Sequence, residues 1–419
     1  MQVLLLPLAV LTRELLFAPL LIGHAVASPS ESSENGLHPN RTHRVEENPP
    51  NTRNQTGIDT RQTAVRLESK FSACTARPAN GHEPEATTDG QIEVSSCWAS
   101  ALAAAELNRY AKWRHALLQR LWKPWFVYRP AQLVRRATTV FFPRPHGLSP
   151  LRTSWGVNVI ADPTRTIGRS ILTTGLYDIA VSEVLLRLIT PGDTVVDAGA
   201  NVGYMTLLAS IAAGPRGKVI SFEPHPELFA ILKRNVADSR GNWSTAGVES
   251  HPDALGARPG TADLHLPPDF EQNDGIARIG SGSAAGGRAL TVRVATLDEV
   301  LGDAPVGVLK LDVEGFEAQV LMGSERALAG RRIKHIVFED HSVADSEVVR
   351  ILRGAGFRLF SLGWSMRGLR VAPIEVGNLS TRYEAPNFIA TLEPDEVLAR
   401  CRPRGWLALR RQSRRTMVG

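Results

Sequence analysis

The sequence predicts an α/β protein whose core is an open, doubly wound and mostly parallel sheet. Short apolar runs recur between residues 194 and 391, and stretches with a helical pattern separate several of them. Alternating strands and helices are typical of parallel sheets, because each connection has to cross a face of the sheet. Charged residues and glycines directly follow several of the runs. A binding site is therefore expected there, since such sheets bind ligands at the carboxyl ends of their strands.

The predicted elements occupy residues 151–395. A hairpin over 155–163 comes first, and a helix begins near Gly175, where apolar residues recur at helical spacing. Pro191 and Gly192 then turn the chain into the first core strand. The predicted strands are 194–196, 218–222, 306–311, 333–338, 357–362 and 388–391. The predicted helices between them are 226–236, 316–328 and 343–352.

Composition excludes several other classes of protein. Hydrophobic residues make up 43% of the 419 residues, which is enough for a buried core and excludes a wholly disordered chain. A mean hydropathy of -0.11 excludes a protein with many membrane spans. Three cysteines are too few for a disulfide framework or a cysteine-based zinc site.

Two N-terminal segments differ from the core. Residues 1–27 form an apolar leader that ends in Ala25-Val26-Ala27, the small-residue pattern of a signal-peptide cleavage site. Arg13 and Glu14 interrupt the apolar stretch, so a start codon assigned too far upstream is the alternative. Without export, the chain is expected in the cytoplasm. Residues 28–97 are expected to be a disordered extension, because they lack an apolar period that could offset the entropy lost on ordering.

The net charge of +6 comes from two basic segments. Residues 98–150 contain a basic helix with interleaved tryptophan and leucine residues over 101–140, and the tail 396–419 has seven arginines after its one acidic residue. An aromatic stripe at helical spacing usually packs on a core, and the alternative here is a weak contact with a membrane surface. Exposed arginines attract phosphates without specificity, so no specific nucleic-acid contact is expected.

The first core strand ends in the turn Asp197-Ala198-Gly199-Ala200-Asn201-Val202-Gly203. Its two glycines let the backbone approach a ligand closely and pack on the next helix. A dinucleotide-binding turn has three glycines and no acid at the strand end, because its ligand is a pyrophosphate. A carboxylate at Asp197 instead suits a ligand that carries an ammonium and a sulfonium group. The turn therefore predicts S-adenosylmethionine as the cofactor.

The second core strand ends at Glu223, 20 residues after Gly203. An acid at this position accepts hydrogen bonds from the ribose hydroxyls of an adenosine. A lone glutamate is more often an exposed surface charge, but its spacing from the glycine turn favours the adenosine interpretation. Glu223 is therefore a predicted cofactor-binding residue.

Further charged residues follow the next strands. Asp312 follows one strand, and Glu339 and His341 follow another. We expect these groups to converge at one rim of the sheet, where clustered carboxylates often mark function. The alternative for Asp312 and Glu339 is a buried ion pair with Lys310 or an arginine. Glu317 is expected to be a charge on the helix surface.

The stretches VVDAGANVGYMT, ISFEPHPELF, LKLDVEGFEAQVLMG and IVFEDH resemble the FkbM family of S-adenosylmethionine-dependent methyltransferases. The resemblance covers about residues 155–392 and implies a Rossmann-like class I methyltransferase with a mostly parallel, seven-stranded sheet. It also implies methyl transfer to a hydroxyl of a sugar, a glycan or a polyketide, with a substrate loop over 270–287. The implied cofactor contacts are Asp197, Gly199, Asn201 and Gly203 on the methionine side, Glu223 at the ribose and Asp253 near the adenine.

Methyl transfer to an alcohol needs a base, because an alcohol is a poor nucleophile while it keeps its proton. Asp312, Glu339 and His341 are the candidate catalytic residues, and the sequence does not rank them. Alternatively, two of the carboxylates hold a divalent cation that lowers the pKa of the hydroxyl. No cluster of histidines or cysteines predicts a tight transition-metal site.

Three other functions stay open, and the sequence makes no prediction of oligomeric state. An NAD-dependent oxidoreductase could use the same sheet, although the third glycine is missing and Asp197 is present. A nucleic-acid methyltransferase would suit the basic segments, but 312–315 reads Asp-Val-Glu-Gly where a base-modifying enzyme usually has Pro-Pro after its first residue. A non-catalytic, membrane-docking protein would use 101–140 and the arginine tail.

Overall fold

A computed structural model describes residues 122–141, 146–240, 243–268, 270, 277–279, 287–341, 346–380 and 385–410. The predictions for the leader 1–27, the extension 28–97 and the first part of the basic segment, up to residue 121, lie outside the described residues. In the part of the chain that the structure describes, no helix is long and apolar enough to cross a membrane.

The described chain begins with short helices and a hairpin and then alternates strands with helices. The first elements are α1 (Pro124–Val127), α2 (Ala131–Phe141), β1 (Ser149–Arg152), β2 (Asn158–Ala161), α3 (Thr166–Thr174) and α4 (Ile179–Leu188). The next are β3 (Thr194–Ala198), α5 (Tyr204–Ala213), β4 (Lys218–Phe222), α6 (Pro226–Ser239), β5 (Gly247–His251), β6 (Ala254–Leu255), β7 (Gly260–Leu266), β8 (Arg278–Ile279) and β9 (Arg288–Ala295). The last are α7 (Leu297–Leu301), β10 (Val306–Leu311), α8 (Glu317–Met322), α9 (Glu325–Ala329), β11 (Ile333–Glu339), α10 (Glu347–Gly354), β12 (Arg358–Ser365), β13 (Gly368–Pro373), a 3-10 turn (Ile374–Val376), β14 (Asn387–Thr391) and α11 (Pro394–Cys401).

The central sheet has eight strands in the order β13-β12-β14-β11-β10-β3-β4-β5. The five strands from β11 to β5 are parallel, whereas β14, β12 and β13 pair antiparallel. The predicted class I methyltransferase fold is therefore confirmed, with the hairpin strand β13 added at one edge to the expected seven. The strand order reverses at β3, so the carboxyl ends of β3, β4 and β10 form the switch point where such sheets bind ligands.

The strands form because their apolar residues fill both faces of the sheet. Val195 and Val196, adjacent in β3, are 1% and 0% exposed and belong to different hydrophobic clusters. Successive side chains of a strand point to opposite faces, so one cluster lies on each side of the sheet. Burial of both faces explains why the central strands read as continuous apolar runs.

The largest differences between predicted and observed boundaries concern the hairpin and three helices. The hairpin is β1–β2, with residues 153–157 in its turn, so the predicted span 155–163 was shifted. The helix expected near Gly175 begins at Ile179, because α3 precedes it and ends at Gly175 in a left-handed conformation with φ 82. The helix 316–328 is two helices, α8 and α9, and they are separated at Gly323, where a side chain would overlap the Gly256 carbonyl. The predicted helix 343–352 is observed as α10, which begins later, at Glu347.

The arginine tail is partly built into the domain, so its predicted start at residue 396 was wrong. Trp406 is 2% exposed, and the buried Glu183 carboxylate accepts a hydrogen bond from the Ala408 backbone N–H at 2.8 Å. Arg187 pairs with Glu183 at 2.7 Å and donates to the Gly405 carbonyl at 3.1 Å. The buried ion pair lies within α4, and backbone groups of Gly405 and Ala408 supply its remaining hydrogen bonds. The chain is therefore folded to about residue 409.

The described end of the basic segment packs on the domain. The Trp125 ring meets the edge of the Trp364 ring at 5.5 Å, and the Tyr128 hydroxyl donates to the Met366 carbonyl at 3.0 Å. Packing of the aromatic stripe is thus confirmed for Trp125, whereas Trp122 is 63% exposed. The membrane-surface alternative for 101–140 stays a prediction.

Candidate active site

One cleft opens at the carboxyl ends of β3, β4 and β10. Its empty volume is about 910 Å³, including the open mouth. The lining includes Gly199, Asn201, Glu223, Asp253, Asp312 and Glu314, together with the aromatic residues Tyr177, Tyr204 and Phe222. Most of the predicted site residues are therefore brought together.

The glycine turn after β3 forms the floor of the cleft. Gly199 has φ 78, and a side chain there would overlap the carbonyl oxygen of Asp312. Gly203 has φ 87, and a Cβ atom would lie 2.5 Å from Cδ1 of Leu232 on α6. Only glycine suits both the conformation and the space. The turn therefore packs closely against the end of β10 and against α6.

Asp197 lies beneath this turn. Its side chain is 1% exposed and accepts a hydrogen bond from the Thr206 hydroxyl at 2.5 Å. Its Oδ1 atom lies 3.5 Å from Nζ of Lys310, which is its register partner across β3 and β10. A direct contact between Asp197 and the cofactor stays a prediction. In the structure the Asp197 carboxylate contacts Thr206 and Lys310 and so stabilises the turn.

Lys310 ties β10 to the glycine turn. It is 5% exposed, donates a hydrogen bond to the Gly199 carbonyl at 2.8 Å, and lies 3.1 Å from the Asp312 carboxylate. Burial lowers the pKa of Lys310, but the Asp312 and Asp197 carboxylates outweigh it and raise the pKa well above its usual range. Asp312 thus takes the ion pair that was its alternative role and also lines the cleft, with 30% of its side chain exposed.

Glu223 stands at the end of β4, held by two backbone groups. Its Oε2 atom accepts from the Asn201 N–H at 2.7 Å, and its Oε1 atom accepts from the His225 N–H at 2.9 Å. Burial raises the pKa of Glu223 to about 7, although both N–H groups oppose this shift. Each carboxylate oxygen has a second acceptor position. Glu223 can therefore accept two further hydrogen bonds from a ligand with neighbouring hydroxyls.

Asp253 lines the same cleft just beyond β5. Both of its oxygens are engaged by Arg293 of β9, at 2.7 Å from Nε and 2.5 Å from Nη2. Close by, the Phe222 and His251 rings stack with centroids 5.0 Å apart. The predicted contact of Asp253 with adenine stays a prediction. The observed bidentate pair fixes the small β6–β9 sheet beside the cleft.

Glu339 and His341 form a pair near Asp312. His341 Nε2 lies 2.7 Å from Glu339 Oε1. Burial raises the pKa of Glu339, and the charge of Asp312 adds to this, while the hydrogen bond with His341 opposes it. The same hydrogen bond raises the pKa of His341. Of these three candidate bases, Asp312 alone lines the cleft.

Two cleft residues were missed by the sequence reasoning. Glu314 lines the cleft and has φ 54, a left-handed conformation that is uncommon for glutamate. Tyr177, just before α4, also lines the cleft, and burial followed by the charges of Asp312 and other acids raises its pKa well above its usual range. The sequence signal for Glu314 was its place directly beyond the β10 strand end. Tyr177 carried no such signal.

Glu317 was wrongly predicted to be a charge on the helix surface. It is 7% exposed, and its Oε1 atom accepts from the backbone N–H groups of Val313 and Gly315 at 3.0 and 3.1 Å. Its carboxylate caps the turn that carries Glu314. Among the described residues, no group of three or more His, Cys, Asp or Glu side chains is arranged to hold a metal ion.

The predicted substrate loop falls mostly outside the described residues. Within 270–287, the structure describes residues 270, 277–279 and 287, and Arg278–Ile279 form strand β8. Ala277 and Ile279 line the cleft. The described part of this segment thus lies next to the site.

The chain is similar to known methyltransferases. A family model described as the methyltransferase FkbM domain matches residues 197–359. A 31-O-demethyl-FK506 methyltransferase, FkbM, of Streptomyces tacrolimicus is 34% identical over 193 residues, which cover 40% of this chain and 73% of that relative. A hexuronic acid methyltransferase, AglP, of Haloferax volcanii is 27% identical over 179 residues, which cover 42% of this chain and 67% of that relative.

The chain also aligns with solved structures of methyltransferases. Methyltransferase FkbM of Methylobacillus flagellatus aligns over 55% of this chain and 55% of that chain, with 13% identity and a TM-score of 0.30. An S-adenosylmethionine-dependent O-methyltransferase of Thermotoga maritima aligns over 61% of this chain and 80% of that chain, with 15% identity and a TM-score of 0.30. Neither likeness bears on the substrate.

Proposed function

Because the chain belongs to the FkbM methyltransferase family, we propose that it transfers a methyl group from S-adenosylmethionine to a hydroxyl group. The proposed acceptor is a sugar, a glycan or a polyketide-type metabolite. The names of two relatives support this choice, since one acts on a hexuronic acid and the other on 31-O-demethyl-FK506.

The observation that carries the proposal is that the Gly199 turn, Glu223 and Asp312 line one cleft. Gly199 lines the cleft, and its missing side chain lets the turn pack against the Asp312 backbone. Glu223 has acceptor positions left for the two ribose hydroxyls of an adenosine. The residues present therefore fit S-adenosylmethionine. A pyrophosphate fits poorly, since Glu223 and Asp312 bring negative charge to the same cleft.

The chain's own residues have two tasks in this reaction. When bound, S-adenosylmethionine supplies a methyl group made electrophilic by a positively charged sulfur. Glu223 and the turn through Asn201 would hold the cofactor, and the rim near Asp312 would hold the acceptor. Placing two reactants in a fixed geometry removes much of the entropic barrier.

The second task is to remove the proton of the acceptor hydroxyl. Asp312 is the best placed of the three candidate bases because it lines the cleft, and the Lys310 ion pair holds its carboxylate at that rim. Glu339, which is close enough to feel the charge of Asp312, pairs with His341, whose side chain is 52% exposed. A divalent cation that lowers the pKa of the hydroxyl is the alternative route.

The test is methyl transfer by the full chain. Cofactor with a deuterated methyl group is incubated with a panel of uronic and neutral sugar glycosides and polyketide alcohols, and products are read by mass spectrometry. At least one acceptor should gain one deuterated methyl group. Loss of transfer with a chelator and its return with magnesium would select the cation route. Cofactor binding without labelling of any panel member would contradict the acceptor class.

A further inference from the structure

Glu314 is a carboxyl group in the cleft that no neighbour in the described chain engages. Asp312 is paired with Lys310, Glu223 accepts two backbone N–H groups, and Asp253 is held by Arg293. Glu314 lines the cleft without a hydrogen bond or ion pair from any described residue. Its carboxyl group is therefore available to a ligand.

The backbone holds Glu314 at this place. Its φ is 54, and Gly315 follows with φ 94, so two successive residues are left-handed. The Glu317 carboxylate accepts hydrogen bonds from the N–H groups on both sides of Glu314. Strained backbone that the surroundings hold so firmly is typical of functional sites. The side chain thus stands on a rigid turn directly beyond the end of β10.

The charges that face Glu314 are mostly negative. They come from its own turn, from the neighbouring strand β11 and from the small sheet beside the cleft: Asp312, Glu317, Glu339 and Arg278. Burial, followed by the charges of Asp312 and Glu339, raises the pKa of Glu314 to about 9, and Arg278 opposes this. A positive charge placed beside Glu314 would lower this pKa and favour the ionised carboxylate.

We propose that Glu314 recognises the positive charge of the sulfonium centre, so that the cleft binds S-adenosylmethionine more tightly than S-adenosylhomocysteine. The inference rests on the proposed function. The two molecules share the adenosine and the amino acid and differ in the methyl group and in the charge on sulfur. Glu314 lines the cleft at the rim near Asp312, where the acceptor would be held. Its carboxyl group can therefore interact with a charged sulfur more strongly than with a neutral one. Release of the neutral product would be favoured after each transfer.

The experiment compares the two ligands by isothermal titration of the full chain at pH 8. At this pH Glu314 is mostly protonated in the free protein and would ionise beside the sulfonium, whereas Glu314→Gln keeps the shape of the side chain and cannot ionise. It should weaken S-adenosylmethionine binding about tenfold, equivalent to about 1.4 kcal/mol, and change S-adenosylhomocysteine binding less than about twofold. Glu223→Gln is the matched control, since it should weaken both ligands by the same factor through the shared ribose.

A second variant separates binding from folding. Glu314→Gly suits the left-handed backbone, so its melting temperature should equal or exceed that of the wild type, with the same selective loss of S-adenosylmethionine. A Glu314→Gln variant with an unchanged ratio of the two affinities would overturn the role of Glu314 and leave the proposed function intact. A wild-type chain that binds neither ligand would overturn both.

Discussion

Ribose binding by Glu223 predicts a specific pH dependence of ligand affinity. Burial raises the pKa of Glu223 to about 7 in the free protein. The group is then about 90% protonated at pH 6 and about 10% protonated at pH 8, since each pH unit is a tenfold change in the ratio of the two forms. A protonated carboxyl loses an acceptor position, so the ionised form suits two ribose hydroxyls. Affinity should therefore rise about tenfold from pH 6 to pH 8.

The assay is isothermal titration with S-adenosylhomocysteine, whose neutral sulfur is insensitive to the charge of Glu314. Glu223→Gln should bind about 1–3 kcal/mol more weakly at pH 8, the usual cost of a lost partner for a buried polar group. Its affinity should also stay flat with pH, because the amide does not titrate. Glu249→Gln is the control, since this carboxylate lies on the neighbouring strand with 49% of its side chain exposed.

Two results would refute this reasoning. One is a wild-type affinity that is strong and constant from pH 6 to pH 8, because the titrating carboxylate would then take no part in binding. The other is a Glu223→Gln variant that binds with wild-type affinity at pH 8. Either would remove Glu223 from the ribose site.

Three further predictions concern the strands on either side of the turn. Lys310→Met should lower the free energy of unfolding by about 3–5 kcal/mol in urea titrations, because Asp197 would be buried without its cation; a loss below about 0.5 kcal/mol would contradict this. Gly199→Ala should destabilise far more than Gly192→Ala, since only the former meets a backbone oxygen; equal losses would refute the close packing. Asp312→Asn should lower kcat about 100-fold or more in the deuterated-methyl assay with cofactor affinity kept; wild-type turnover would exclude it as the base.

The central strands could be predicted because burial on both faces leaves an unbroken apolar run. Strand β5, Gly247–His251, was missed for the opposite reason, since it is an edge strand with polar residues on both faces. Strands β6 to β9 were missed as well. In β7 and β9 exposed residues are mixed with a few buried ones, and the two strands pair over long distances, as Gly260 does with Val294. Short local patterns do not reveal such pairings.

The cofactor side of the site was easier to predict than the acceptor side. Glu223 and the glycine turn stand at strand ends in a fixed spacing, and that local pattern was enough to place them in one cleft. The Arg293 partner of Asp253 lies 40 residues further along the chain, so it depends on the fold of the small sheet. The burial of Glu317 and the left-handed backbone of Glu314 likewise depend on tertiary packing.

A crystal structure of the full chain with S-adenosylhomocysteine would show whether the Gly199 turn and Glu223 bind the cofactor. The account predicts that the ligand occupies the cleft with its ribose hydroxyls within about 2.5–3.2 Å of the Glu223 carboxylate. It also predicts that the sulfur faces the rim formed by Asp312 and Glu314. Ligand density away from the Gly199 turn, or a Glu223 side chain turned away from a ligand bound in the cleft, would contradict it.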